Sequence, residues 1–160
     1  MRKPTAVLGS LLFLLVAPGT VAVLVPWLIS KFQFQPEALP LRVAGAVLIA
    51  AGLAFLLDSF ARFALTGLGT PAPVAPPQHL VVTGWYRFVR NPMYVAVVAI
   101  IVGEALLLGN LALFAYAIIV WFGFHAFVAG FEEPALRRAF GDEYGSYCAR
   151  VPRWIPRPRR

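Results

Sequence analysis

The chain has 160 residues and a formal net charge of +7, and 60% of its residues are hydrophobic while only 13% are charged; its mean hydropathy is +0.76. That composition cannot supply a polar surface for a water-soluble domain of this size, so a soluble globular fold is excluded. The single cysteine, Cys148, excludes an intrachain disulfide and a multi-cysteine metal site, and no metal is expected.

Four apolar stretches are long enough to cross, or nearly cross, a hydrocarbon core of ~30 Å at ~1.5 Å per residue. They cover residues 5–29, 39–57, 93–108 and 111–131. Arg2 and Lys3 precede the first as they would in a signal peptide. Its apolar character nevertheless continues to Ile29 without an A-x-A site, so it reads as a retained helix, kinked near Pro18-Gly19 and at Pro26. Residues 58–92 read as a loop. Within it Thr70-Pro71-Ala72-Pro73-Val74-Ala75-Pro76-Pro77 runs extended over the membrane surface.

The loop ends in a polar, basic motif, Gly84-Trp85-Tyr86-Arg87-Phe88-Val89-Arg90-Asn91-Pro92-Met93-Tyr94, which opens the third span. Asn91 before Pro92 is an N-cap followed by proline at the first helical position. Backbone N–H groups at that helix start, flanked by Arg87 and Arg90, favour a bound anion such as a carboxylate or phosphate. Gly109-Asn110 is so short a connection that the third and fourth spans form an antiparallel hairpin. Residues equidistant from that turn lie at similar depth, which puts Tyr94 level with His125 and Arg87–Asn91 level with Val128–Glu132.

Glu132-Glu133 closes the fourth span, so the basic entrance and the acidic exit meet at one membrane edge. Beyond them, Pro134 can start a new helix in which Phe140, Tyr144, Tyr147 and Cys148 recur at amphipathic spacing, interrupted at Gly141. Residues 132–160 are therefore expected to lie on the membrane surface, with Trp154 at headgroup level, as a segment able to lid the cleft of the hairpin.

With the N-terminus cytoplasmic, twelve of the 14 basic residues fall on the cytoplasmic side, and only Lys31 and Arg42 on the other. That is the positive-inside pattern of an even number of spans with both termini inside, as in a bacterial inner membrane. The basic residues bracket apolar spans instead of lining a soluble face, so membrane lipids and not nucleic acid are the expected partners. No obligate protein partner is evident.

Plainer roles exist for the same residues. Glu132-Glu133 could balance Arg137 and Arg138 at a solvated helix end, and Arg87 and Arg90 could act only as topology signals and phosphate clamps. His125 is either functional or a neutral imidazole bonded to a neighbouring helix. Glu104, near the far end of the third span, snorkels or caps the hairpin, and Cys148 is a small residue on an interfacial helix.

Taken together, residues 70–157 resemble the isoprenylcysteine carboxyl methyltransferase and phospholipid methyltransferase superfamily of integral membrane enzymes. The matching elements are G-x-Y-R-x-x-R-[HN]-P-x-Y over Gly84 to Tyr94, the pair Glu132-Glu133, and F-G-x-x-Y-x-x-Y-x-x-x-V-P from Phe140 to Pro152. The resemblance implies an all-α integral membrane fold: four transmembrane helices, the last two a tight hairpin, with a C-terminal amphipathic segment on the cytoplasmic side. It implies an S-adenosylmethionine-dependent methyltransferase that acts on a hydrophobic or lipid-like acceptor by O-, N- or S-methylation. By the same resemblance the cofactor is held by Gln78, His79, Leu80, Val81, Tyr86, Asn91, Pro92, Met93, Tyr94 and Glu132, and Arg90, Asn91 and Tyr94 stand at the reacting groups.

Two positions depart from the carboxyl methyltransferase pattern. Asn91 stands where histidine is usual, and Val128 stands where an arginine serves the prenylcysteine substrate, so the acceptor stays open between a prenylcysteine carboxylate and another lipidic molecule. Two alternatives remain: an NADPH-dependent membrane lipid reductase with a related hairpin, and a non-catalytic membrane scaffold.

Overall fold

A computed structural model describes residues 3–67 and 79–156, and among these all regular structure is helical. The N-terminal rod consists of α1 (Lys3–Gly19), a π-helical turn (Thr20–Leu24) and α2 (Val25–Ser30). The expected kinks take the form of that turn, set between Pro18 and Pro26. In a π turn each N–H reaches the carbonyl five residues back, as Val25 does to Thr20. The next donor would be Pro26, which has no N–H. The carbonyl of Val21 is thereby released, and it accepts a hydrogen bond from the Tyr116 hydroxyl at 2.9 Å. Pro26 thus creates the acceptor that ties the rod to the helix carrying Tyr116.

After Lys31 and Phe32, both in the left-handed region, the chain crosses to α3 (Leu39–Arg62). This helix continues past the expected boundary at Leu57 and through a π turn at Phe63–Gly67. The reason is that the helix changes character without ending. Asp58 and Arg62 form an i,i+4 ion pair at 2.8 Å, while Ser59 and Phe60 are buried. Charges after an apolar run therefore do not mark the helix end here.

A single 3-10 turn, Gly84–Arg87, leads into α4 (Pro92–Leu108). Gly109, at φ 67, and Asn110, whose side chain accepts from the Ala112 N–H at 3.0 Å, then reverse the chain into α5 (Leu111–Phe127). The hairpin is the one expected from the two-residue connection. A further π turn, Val128–Glu132, joins α5 to α6 (Glu133–Arg150), which bends at Gly141 (φ 48, ψ −123).

The tightest packing is between α3 and α4. A Cβ on Gly45 would stand 2.6 Å from the Gly103 carbonyl oxygen and from the Leu107 nitrogen, and one on Gly103 would stand 2.8 Å from the Gly45 oxygen. Backbones this close admit no side chain between them. Around the contact lie Leu56, Phe60, Ala96, Val97, Ile100 and Ile101, which with Ala22 and Ala117 form the main core. Gly45→Ala is expected to force the two helices apart at a cost of about 1–3 kcal/mol, read as a lower thermal unfolding midpoint in detergent. An unchanged midpoint would mean that the helices separate freely.

The outer faces carry aliphatic side chains open to the surroundings, among them Leu15 (73% exposed), Ile119 (69%) and Leu111 (82%). Such a surface fits a hydrocarbon solvent. Three helical stretches, Val7–Ser30, Leu39–Thr66 and Leu111–Arg150, are long and apolar enough to cross a membrane, and Pro92–Leu108 is apolar but shorter, with 17 residues. The 40-residue stretch exceeds one bilayer. Its residues 111–131 would by themselves cover about 30 Å.

The C-terminal helix forms a cluster of its own. Tyr144, Tyr147 and Val151 are buried, with Leu80, Leu136, Phe140 and Cys148 packed around them. Part of the apolar stripe of α6 is therefore covered by Leu80, in the segment before α4. Aromatic residues at this spacing indicate an apolar face without saying what covers it.

Candidate functional site

A cavity of about 240 Å³ lies where the start of α4, the end of α5 and the N-terminal rod converge. Its polar end is formed by Tyr86, Arg90, Asn91, Tyr94 and Glu132, with Pro92 and Met93 beside them. Its other walls are apolar: Phe13, Ala17, Pro18 and Val21 from the rod, Phe60 and Phe63 from α3 and its π turn, Val97 from α4, and Phe124 and Phe127 from α5.

The hydroxyl of Tyr94 donates to Glu132 Oε2 at 2.9 Å, and its ring packs against Phe124 with centroids 4.7 Å apart. In a regular α-helix Phe124 and Glu132 would point about 80° apart, eight residues at about 100° each. The π turn at Val128–Glu132 absorbs about one residue of that rotation and brings both onto the face that Tyr94 meets. The hairpin register alone placed Tyr94 beside His125; the π turn is what delivers Glu132 to it.

Arg90 is fixed on several sides. Its backbone N–H donates to the Pro152 carbonyl at 2.9 Å, and its guanidinium meets Glu133 Oε1 at 3.3 Å, the Tyr144 hydroxyl at 3.5 Å and the sulfur of Cys148. Its Nε is buried and has no hydrogen-bond partner among the described residues. Asn91 occupies the cap position, but its side chain makes no capping bond; its Nδ2 donates to the Arg153 carbonyl at 3.2 Å. Asn91 thus stands at the expected cap position before Pro92, while its side chain is turned to the C-terminal segment.

That segment, residues 151–156, lies across the site. Arg153 makes two hydrogen bonds to Glu133, at 2.7 and 2.9 Å. Trp154 donates to His125 Nδ1 at 3.2 Å and packs on Trp121 and Tyr94, with centroids 4.6 and 6.5 Å away. His125 is accordingly bonded by the tail and not by a neighbouring helix. Glu133 is buried and pairs with Arg153 and Arg90, not, as the sequence had allowed, mainly with Arg137 and Arg138. Burial works to raise its carboxyl, but the Arg153 hydrogen bonds and the charges of Arg90, Arg153 and Arg137 outweigh it and hold the group below its ordinary value.

Of the residues expected at the site, Tyr86, Arg90, Asn91, Pro92, Met93, Tyr94 and Glu132 are brought together on the cavity. His79 is exposed, Leu80 packs into the tyrosine cluster and Val81 is buried outside the cavity wall. Gln78 lies outside the described residues. Sequence reasoning missed the phenylalanine walls and the Arg153–Glu133 pair.

A family model for phospholipid methyltransferases matches residues 41–143. The protein-S-isoprenylcysteine O-methyltransferase of Schizosaccharomyces pombe is 38% identical over 80 residues, which cover 49% of this chain and 34% of that protein. The chain thus spans about a third of the length of that relative. The matched region contains both the basic motif and the acidic pair that meet at the cavity, and the chain belongs to the phospholipid methyltransferase family.

Proposed function

We propose that this chain is an S-adenosylmethionine-dependent methyltransferase that methylates a lipid-like acceptor at the cytoplasmic face of a membrane it crosses four times. The observation that carries the reading is the Tyr94–Glu132 pair at the polar end of an otherwise phenylalanine-lined cavity. Both termini lie on the cytoplasmic side in this reading, in keeping with the bias of basic residues.

The side chains present fit such a cofactor. Glu132 can take an ammonium or a ribose hydroxyl, the buried and unpartnered Nε of Arg90 can donate to a carboxylate, and the rings of Tyr86 and Tyr94 can pack on a base. When bound, the cofactor supplies an electrophilic methyl group carried on a sulfonium. Alignment of nucleophile, methyl and sulfur is then the protein's main contribution. Asn91 and Tyr94 stand at the junction of the polar and apolar ends, where an acceptor atom would meet that methyl, and Phe13, Phe60, Phe124 and Phe127 exclude water and hold the acceptor's hydrophobic body.

Isoprenylcysteine and phospholipid acceptors both suit the apolar walls. Val128 is fully buried in the π turn, so that position contributes no cation to an acceptor carboxylate. Calorimetric titration of S-adenosylhomocysteine into the detergent-purified protein should give saturable binding at one site per chain. Absence of binding in detergent and in lipid nanodiscs, with saturable NADPH binding in its place, would return the reductase reading.

A further inference from the structure

We infer that a second cleft, separate from the methyl-transfer cavity, binds the phosphate of an anionic membrane lipid. The cleft measures about 380 Å³ and lies between the basic motif and the end of α6, lined by Val82, Arg87, Tyr147, Arg150 and Val151. None of these residues lines the first cavity. Tyr147 is the partition: its hydroxyl donates to the Tyr86 carbonyl at 2.7 Å, and Tyr86 lines the far side.

Two guanidinium groups thus face one concave surface, and among the described residues neither makes an ion pair. Arg150 makes one hydrogen bond to its own helix, Nε to the Ser146 carbonyl at 3.2 Å, which leaves its terminal nitrogens available. Paired guanidinium forks suit a phosphate, whose oxygens accept two parallel N–H bonds from each.

The surroundings of the cleft select a lipid as the source of that phosphate. Val82 (41% exposed) and Phe88 (44%) present apolar side chains on the same segment as Arg87. Trp85 packs on Phe55 of α3 with centroids 3.8 Å apart, which holds the segment against a membrane-crossing helix. Arg87, flanked by exposed apolar residues just before the apolar helix α4, is placed at headgroup depth, where an anionic leaflet attracts it, and the cleft brings Arg150 of α6 beside it. This site needs only the membrane boundary and does not rest on the methyl-transfer reading.

Native mass spectrometry of the detergent-purified chain tests it, with phosphatidylglycerol, phosphatidylcholine and inorganic phosphate as probes. The wild type should retain one phosphatidylglycerol in preference to phosphatidylcholine. The double variant Arg87→Gln/Arg150→Gln should weaken that retention roughly 30-fold, the worth of two arginines near an anionic surface, and Arg87→Gln alone by about half as much on a logarithmic scale. Arg138→Gln, an exposed site on the same helix, should leave it unchanged. An equal loss in Arg138→Gln would show diffuse surface attraction, and displacement of the lipid by inorganic phosphate would show a free-anion site; either overturns the proposal. If the double variant loses its helical signal, Arg87→Gln decides, and no change in that variant overturns the proposal too.

Discussion

Glu132→Ala is expected to weaken S-adenosylhomocysteine binding by about 10- to 100-fold, the loss of one charge-assisted hydrogen bond worth ~1.5–3 kcal/mol, while the protein stays folded. Glu132 is the carboxylate at the polar end of a cavity whose other walls are apolar, so an opposite charge brought near it interacts through a lower dielectric than that of water. Glu132→Gln keeps the volume and the capacity to accept from Tyr94 but removes the charge. If it binds as weakly as Glu132→Ala, charge is what holds the ligand. Tyr94→Phe removes only the 2.9 Å hydrogen bond and should cost about 0.5–1.5 kcal/mol of affinity. Wild-type affinity in Glu132→Ala, measured by the same calorimetric titration, would move the cofactor away from this carboxylate altogether.

The order of those effects follows from where each residue stands. Glu132 is delivered to Tyr94 by the π turn at Val128–Glu132. π turns inside α-helices recur at functional sites because they spend a regular hydrogen bond to aim a side chain. Tyr94, by contrast, is set by the ordinary geometry of the hairpin and acts by steadying the carboxylate.

Much of the fold could be read from the residues. Run length and charge placement mark the apolar helices, and Gly109-Asn110 fixes the hairpin because only a left-handed residue followed by a capping side chain reverses the chain so sharply. The π turns could not be read. Inserting one residue into a helical turn leaves no trace in composition and is decided by what packs against it. The cavity walls were hidden for a related reason: in a membrane helix nearly every residue is apolar, so Phe13, Phe60 and Phe124 look no different from the lipid-facing Phe122. Even where the residue was identified, as with Asn91, its partner was not. The Arg153 carbonyl that it bonds lies 62 residues away, and local rules see only the cap.

Long-range pairing also sets the second large effect, which falls on Glu133. Replacing it with Gln leaves the guanidinium groups of Arg90 and Arg153 without their carboxylate, and Arg90 is largely buried, with 11% of its side chain exposed. Breaking such a pair costs about 3–5 kcal/mol when both charges are fully buried. Arg153 remains 32% exposed and can turn to water, so about 2–4 kcal/mol is expected. The sign of the pH dependence is fixed by the direction of the shift. A carboxyl held below its ordinary value of 4.5 contributes its stabilisation in full above that value and loses it as pH falls through the lower, folded-state value. Thermal unfolding of the wild type should therefore fall towards that of Glu133→Gln as the solution is acidified below pH 4.5, and the gap between them should be largest near neutrality. A gap that stays constant with pH would mean that the carboxylate's charge does not hold the tail. Because the carbonyls of Pro152 and Arg153 accept from Arg90 and Asn91, the same variant should also loosen the segment that carries Trp154 over the cavity. Limited proteolysis at the C-terminal segment should then cut Glu133→Gln faster than the wild type at neutral pH and at the same rate in acid.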